Sequence, residues 1–137
     1  MSFRSIQGAF LNIFVLGLVV VSMRVNADNN SGNQLKFDLQ AAMQNYIEDR
    51  LVDGEYLYLD AENGVVARAR PSAAHPTILE VKNGYILCSD FRTSAGEALN
   101  VDFCLARVGE EYVVFSHSVQ ERMKIKKLMK AGLAKKM

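Results

Sequence analysis

Asn83-Gly84 separates two segments in which apolar and polar residues alternate, Thr77–Lys82 and Tyr85–Phe91. An Asn-Gly pair in this position predicts a two-residue β-hairpin with a type I′ turn, in which both turn residues take positive φ. Two more alternating segments follow after short connections, Leu99–Arg107 and Tyr112–Val119. This half of the chain is therefore predicted to form an antiparallel meander.

The residues before this meander add one helix and two strands to the prediction. Leu35–Asp53 is predicted to be a helix that Gly54 terminates. Glu55–Asp60 and Val65–Arg70 alternate as strands, and the segment Pro71–Pro76 is predicted to be a loop. Apolar residues at three- and four-residue steps place one face of the helix against the sheet: Leu35, Leu39, Met43, Tyr46, Ile47 and Leu51.

The C-terminal segment is strongly basic. From Glu121 onward there are 7 basic residues and one acidic residue, whereas Asp28–Gln120 contains 7 basic and 14 acidic residues. Ser118 and Glu121 match a capping box, which predicts a second helix to the end of the chain. Its candidates for contact with an anionic partner are Lys124, Lys126, Lys127 and Lys130. The alternatives left open are a membrane surface, an acidic protein, and a helix whose lysines only face water.

These segments predict an α+β fold. An N-terminal amphipathic helix packs on a curved antiparallel sheet of about six strands, and a basic helix ends the chain. The predicted organisation is a signal peptide over 1–27, a flexible leader over 28–34, a roll domain over 35–119 and a basic helix over 120–137.

The first residues predict export. Arg4 precedes an apolar run of 14 residues, Gly8–Val21, which suits a signal peptide better than a membrane span of about 20 residues. Val25-Asn26-Ala27 predicts cleavage after Ala27. The expected location is periplasmic or secreted, and an uncleaved membrane anchor is the alternative.

Both cysteines, Cys88 and Cys104, lie in adjacent predicted strands. A register that places them opposite each other predicts a disulfide, which stabilises by ~3 kcal/mol in the chain-entropy estimate. Two buried thiols are the alternative. This register sets Asp90 against Asp102. It collects Tyr85, Leu87, Phe91, Val101, Phe103 and Leu105 on one face.

The pattern argues against several kinds of chemistry. The predicted turn sets His117 opposite Phe103, on the face away from the cysteines, so a Cys–His catalytic pair is not expected. Closely spaced metal ligands and a phosphate-cradling Gly loop are missing from the sequence, so no metal and no cofactor are predicted. Strands without an exposed basic–aromatic pattern also argue against nucleic-acid binding.

The run from Asn100 to Val114 resembles the late hairpin of nuclear-transport-factor-2-like rolls, and Leu35–Val119 as a whole resembles these and cystatin-like rolls. The resemblance implies a helix packed on a curved meander, and it leaves function open, because such rolls include enzymes, ligand carriers and assembly subunits. The cystatin inhibitory signature Gln-x-Val-x-Gly is missing, so protease inhibition is not supported.

The predicted function is an exported, non-enzymatic binding or interaction module with a protein or small-molecule partner. One alternative is a small-ligand carrier or enzyme with a pocket between helix and sheet, for which the candidate side chains are Tyr56, Tyr58, Arg68 and Tyr85. The other alternative is a membrane-anchored subunit of an envelope or secretion complex.

Overall fold

The computed structural model of the protein describes residues 27–137, so the predicted signal peptide or anchor lies outside the described residues, except for Ala27. Two helices accompany one curved antiparallel sheet, as predicted. The sheet contains strands β1 to β6 in chain order, and a short β7 pairs with β3. The bounds are α1 Ala27–Glu48, β1 Leu51–Val52, β2 Glu55–Asp60, β3 Val65–Val81, β4 Gly84–Thr93, β5 Ala98–Val108, β6 Glu111–Val119, α2 Arg122–Lys130 and β7 Ala134–Lys136. Within residues 27–137, no helix has the length and hydropathy that crossing a membrane requires.

Helix α1 presents its apolar stripe to the sheet, as predicted, but its bounds differ. Its first turns occupy the segment predicted to be a flexible leader, and Gln34 donates a hydrogen bond to Asp38 one turn later, at 2.7 Å. The helix ends at Glu48 because Leu51–Val52 pairs with β2 as a strand. Gly54 is therefore part of a hairpin turn and not a helix cap.

The φ angles of the turn residues show which hairpin has a type I′ turn. Asp53 and Gly54 have φ values of 54° and 78°, as a type I′ turn requires. In the hairpin between β3 and β4, Val81 pairs with Gly84, so the turn residues are Lys82 and Asn83. The hairpin is confirmed there, but the predicted turn is wrong, because Asn83 has positive φ and Gly84 does not.

Strand β3 runs through the segment Pro71–Pro76, so the prediction of a loop there is wrong. Its register against β4 shifts between Pro71 and Ala73 and again between Ala74 and Ile78. Proline lacks an amide donor, and such irregularities let a strand contain it. As a result, His75 lies on the sheet and not in a connection before it.

The predicted register of β4 against β5 is wrong by two residues. Cys88 pairs with Asp102, and Cys104 pairs with Ile86. The cysteines are thus diagonal neighbours, farther apart than the ~4 Å between Cβ atoms that a disulfide needs. Both are free thiols in this structure, whose register does not place them opposite each other. Asp90 pairs with Asn100, which relieves the predicted carboxylate repulsion.

A two-residue shift preserves the faces, because side chains alternate with a period of two. The inner face, which packs on α1, contains the predicted apolar set, and five of its members are fully buried: Leu87, Phe91, Val101, Phe103 and Leu105. The outer face contains Ile86, Cys88, Asp90, Asp102 and Cys104, and α2 lies over part of it.

The basic C-terminal helix is present but shorter than predicted. Glu121 occupies the N-cap position of α2 without a side-chain cap, so the capping box from Ser118 is not formed. Ser118 instead pairs with Asp102 in the sheet. After Lys130 the chain turns at Gly132, whose φ is 70°, and β7 then pairs with β3.

Candidate functional site

The residues predicted to bind a small ligand on the α1 side do not form one site. Tyr56 is buried in the core and its ring packs on Phe91. Arg68 is exposed and pairs with Glu55, at 3.5 Å. Tyr85 packs edge-on against Tyr112, while Tyr58 only borders the core. The space between α1 and the sheet is filled by buried side chains of both: Leu39, Met43, Ile47, Phe91 and Phe103.

The outer face contains a cavity of about 270 Å³ between the sheet and α2. Its polar wall combines residues from three strands and the first turn of α2: His75, Cys88, Asp102 and Arg122. Leu79, Ile86 and Ile125 form its apolar wall, and Lys126 and Lys136 lie at its margin. Because α2 contains no buried residue, it covers the sheet without filling the space beneath it.

Cys88 lies at the centre of the polar wall. Arg122 Nη2 donates to Cys88 Sγ at 2.8 Å, and Asp102 is the residue opposite Cys88 in β5. Burial and the Asp102 carboxylate raise the pKa of the Cys88 thiol to about 12. The thiol is therefore protonated at neutral pH, and since the thiolate is the nucleophilic form, Cys88 is not activated for catalysis.

Asp102 is the most deeply buried acidic group of this wall, with 3% of its surface exposed. Burial raises the pKa of its carboxyl group, while a hydrogen bond from Cys88 and the charge of Arg122 oppose the increase. Two atoms of the wall, Asp102 Oδ2 and Arg122 Nε, are buried without a hydrogen-bond partner among the described residues. Unpaired buried polar atoms are costly, so this wall is suited to a ligand or water that would pair them.

His75 and Asp90 extend the polar wall towards solvent. His75 Nε2 donates to Asp90 Oδ2 at 2.7 Å, and about a third of each side chain is exposed: 33% and 32%. Asn100 donates to the other oxygen of Asp90. These hydrogen bonds lower the pKa of Asp90, that from His75 most strongly. A His75 ring nitrogen, Cys88 Sγ and an Asp90 carboxylate oxygen all lie within 4.8 Å of one another.

A second, mostly apolar groove of about 410 Å³ lies beside the cavity on the outer face. Phe115 and Leu133 form its rim and are 67% and 63% exposed. The predicted lysines lie on α2, whose Leu128 also lines this groove. Lys124 pairs with Glu121, whereas Lys126, Lys127 and Lys130 form no ion pair within the part of the chain that the structure describes.

His117 lies on the inner side, opposite Phe103, as predicted. Its Nδ1 is 3.4 Å from the Tyr46 hydroxyl, and its ring also packs against Tyr56. Burial and the nearby charge of Arg50 lower the pKa of His117. Burial and the neighbouring Tyr46 raise the pKa of Tyr56 to about 12. Both groups are therefore neutral at pH 7, as expected of polar groups at the edge of a core.

Sequence reasoning missed the outer cavity because it placed His75 in a loop and Arg122 in a surface helix. Two signals pointed towards it. The outer-face parity of Cys88, Asp90 and Asp102 was already correct in the predicted register, and Arg122 begins the helix that follows β6. The prediction lacked the continuation of β3 through Pro71–Pro76, which places His75 beside Asp90.

Comparisons of the chain with protein-family models, with curated proteins and with solved structures find no match.

Proposed function

We propose that this protein is an exported, non-enzymatic interaction module that binds an acidic segment of a partner protein through the outer face and α2. The helix and curved sheet are consistent with a cystatin-like or nuclear-transport-factor-2-like roll, an architecture that serves binding as well as catalysis. The raised pKa of Cys88 supports a non-enzymatic role, since it keeps the thiol that lines the cavity protonated.

The observation that carries the proposal is the combination of unpaired positive charge and exposed apolar surface on one side of the molecule. Lys126, Lys127 and Lys130 lie on α2, the helix whose Leu128 lines a groove that also contains the exposed side chains Phe115 and Leu133. Large exposed apolar side chains next to charge are typical of protein interaction sites. An acidic segment with one or two apolar side chains matches this surface, because its charge pairs with the lysines while its apolar groups enter the groove.

The small-ligand alternative loses support on the α1 side, where buried side chains fill the space between helix and sheet. The cavity beneath α2 is the candidate ligand site for a carrier function, because two of its polar atoms are unpaired. The membrane-anchored alternative depends on residues before Ala27. Intact mass of the protein from its native compartment tests it, and loss of residues 1–27 is the result expected for export.

The test replaces three lysines together, Lys126→Glu, Lys127→Glu and Lys130→Glu. The matched control reverses the same number of charges elsewhere, by Lys36→Glu, Arg92→Glu and Arg107→Glu. Each protein is cross-linked in its native compartment, and the captured species are identified by mass spectrometry at increasing salt. We expect a partner that the wild type and the control capture, that salt weakens, and that the α2 variant loses.

Two outcomes would contradict the proposal. Equal capture by the α2 variant would remove the lysines from the interface. Sedimentation of the wild type, but not of the α2 variant, with phosphatidylglycerol vesicles and without a captured protein would assign the lysines to a membrane surface. Capture of a second copy of this chain would identify its acidic body as the partner, which sedimentation equilibrium of the purified protein would confirm as a dimer.

A further inference from the structure

Three side chains at the mouth of the outer cavity have the chemistry of transition-metal ligands. A His75 ring nitrogen, Cys88 Sγ and an Asp90 carboxylate oxygen lie within 4.8 Å of one another. They come from β3 and β4, whose pairing next to the irregularity between Ala74 and Ile78 places His75 beside Asp90. Imidazole, thiolate and carboxylate together match borderline ions such as Zn²⁺ better than Mg²⁺ or Ca²⁺, which prefer oxygen ligands.

The distances suit a single ion after small side-chain movements. With Zn–S near 2.3 Å and Zn–N and Zn–O near 2.1 Å, one sulfur, one nitrogen and one oxygen donor around a tetrahedral Zn²⁺ are about 3.4 to 3.6 Å apart. Cys88 Sγ lies at most about 1.2 Å farther from the other two donors than this range allows. His75 Nε2 and Asp90 Oδ2, which are hydrogen-bonded at 2.7 Å, would have to move apart, and rotation of these partly exposed side chains can supply both movements. Solvent reaches both side chains, so an ion has a path to the site.

A second observation points independently to a ligand at this position. Asp102 has only 3% of its surface exposed, and it lines the cavity directly opposite Cys88. Its Oδ2 has no hydrogen-bond partner within the described part of the chain. A three-ligand Zn²⁺ ion keeps a water in its fourth position. That water would donate a hydrogen bond to Asp102 Oδ2 and satisfy the orphaned atom.

The surroundings support the ligands in the manner of known metal sites. Asn100 holds one oxygen of Asp90, and Gln40 of α1 donates to the backbone carbonyl of His75 at 2.8 Å. Such outer hydrogen bonds orient the groups that bind the ion. Arg122 donates to Cys88 Sγ, an interaction that becomes stronger when the sulfur is a thiolate. The charges of a divalent ion and Arg122 would be balanced by Cys88 thiolate, Asp90 and Asp102.

From these observations we propose that the outer face binds one transition-metal ion of the Zn²⁺ class through His75, Cys88 and Asp90. Binding breaks the S–H bond of Cys88 and forms a sulfur–metal bond, and the proton passes to solvent. No electron is transferred. Water occupies the fourth position and donates to Asp102. None of the three ligands belongs to the lysine and groove surface, so either proposal can fail without the other.

The test uses the full purified chain under a non-chelating reductant. Co²⁺ is added first, because a Co²⁺–thiolate bond gives a charge-transfer absorption that oxygen and nitrogen ligands alone do not give. Zn²⁺ affinity is then measured by competition with a chromophoric chelator. We expect the charge-transfer band at one Co²⁺ per chain, displaced by one Zn²⁺.

The chain supplies its own matched controls, because it contains two histidines and two cysteines. We expect His75→Gln, Cys88→Ser and Asp90→Asn each to weaken Zn²⁺ binding by about 100-fold or more, beyond what outer-shell changes cost. His117→Gln and Cys104→Ser should leave both the affinity and the band unchanged, since they replace the same residue types away from the cluster.

Three results would overturn the site: no charge-transfer band in the wild type, a band that survives Cys88→Ser, or a band that Cys104→Ser abolishes. Cys88 is buried, and its variant must be shown to fold by circular dichroism. If it does not fold, the partly exposed His75→Gln and Asp90→Asn variants and the wild-type spectrum decide the question without it.

Discussion

The two faces of one sheet differ in how they are covered. The inner face packs against α1, and its central side chains Phe91, Val101 and Phe103 have no exposed surface. The outer face meets α2, which contributes no buried residue and leaves a cavity and a groove beneath and beside it. The same strands, with alternating side chains, therefore build a filled core on one side and an open polar wall on the other.

This difference follows from the two helices. Helix α1 has 22 residues, and the apolar stripe within it inserts Leu39, Met43 and Ile47 into the sheet. Helix α2 has 9 residues, of which Ile125 and Leu128 pack on a small second cluster. A long stripe can fill the space over a curved sheet, whereas a two-turn basic helix cannot. Stability should therefore depend on the inner face, and binding on the outer face.

The largest expected effect is on stability. Phe103→Ala should lower the free energy of unfolding by about 3 to 5 kcal/mol, because it empties a fully buried site. Ile125→Ala, on partly exposed α2, should cost about 1 kcal/mol or less. Urea unfolding of both variants measures the contrast. Equal losses would show that α2 is as much a part of the core as α1.

Gly84→Ala should lower the free energy of unfolding less than Phe103→Ala does. Position 84 lies on the outer face, but it too should be sensitive to substitution. A Cβ at this residue would lie 2.7 Å from the backbone oxygen of Leu105, so β4 and β5 would have to separate. We expect a loss of about 1 to 3 kcal/mol, as for other overpacked positions. Gly64→Ala is a useful comparison, because Gly64 has free space around it and its φ of 66° supplies the penalty instead. A neutral Gly84→Ala would contradict this close approach.

The pH dependence of stability should show a still smaller contribution from the inner face. The pKa of His117 is lower in the folded protein than its unfolded value near 6.5. The folded state then binds fewer protons at this site, so lowering the pH from 7.5 to 5.5 should reduce the free energy of unfolding. His117→Gln should make the profile flatter than that of the wild type. Identical urea midpoints against pH in the two proteins would contradict this assignment.

The smallest expected effect concerns the outer-face thiols, which should differ only in how fast they are alkylated. We expect both cysteines to be alkylated in denaturant without reductant, because they are free. In the native protein alkylation of Cys88 should be slow, since burial raises its pKa to about 12. Intact mass before and after denaturation follows both. Alkylation that requires prior reduction would contradict free thiols and would show that Cys88 and Cys104 form the predicted disulfide.

The predictable parts of this structure are the buried stripe of α1, which follows from helical spacing, and the two faces of the sheet, which follow from strand alternation. The three- and four-residue steps of Leu39, Met43 and Ile47 identified the buried stripe of α1, and strand alternation placed Phe103 inside and Cys88 outside. Both depend on local spacing, which sequence displays directly. Parity survived a two-residue error in register because it depends only on whether a shift is odd or even.

Register and strand continuity depend on partners far apart in sequence, and these were missed. Nothing local distinguishes Cys88 opposite Cys104 from Cys88 opposite Asp102. The two prolines of Pro71–Pro76 indicated a loop, whereas pairing with β4 holds the segment in β3 through two register shifts. His75 joined Asp90 only through that pairing. The candidate site was therefore hidden, although each of its residue types was visible.

The two histidines lie on opposite faces, and they allow a single direct test of the division between a structural and a binding face. The imidazole signals of His75 and His117 are followed by NMR during addition of one equivalent of Zn²⁺ to the full chain. The division predicts that the His75 signals change while those of His117, beside Tyr46 and Phe103, stay in place. A change confined to His117, or none at either histidine, would contradict it.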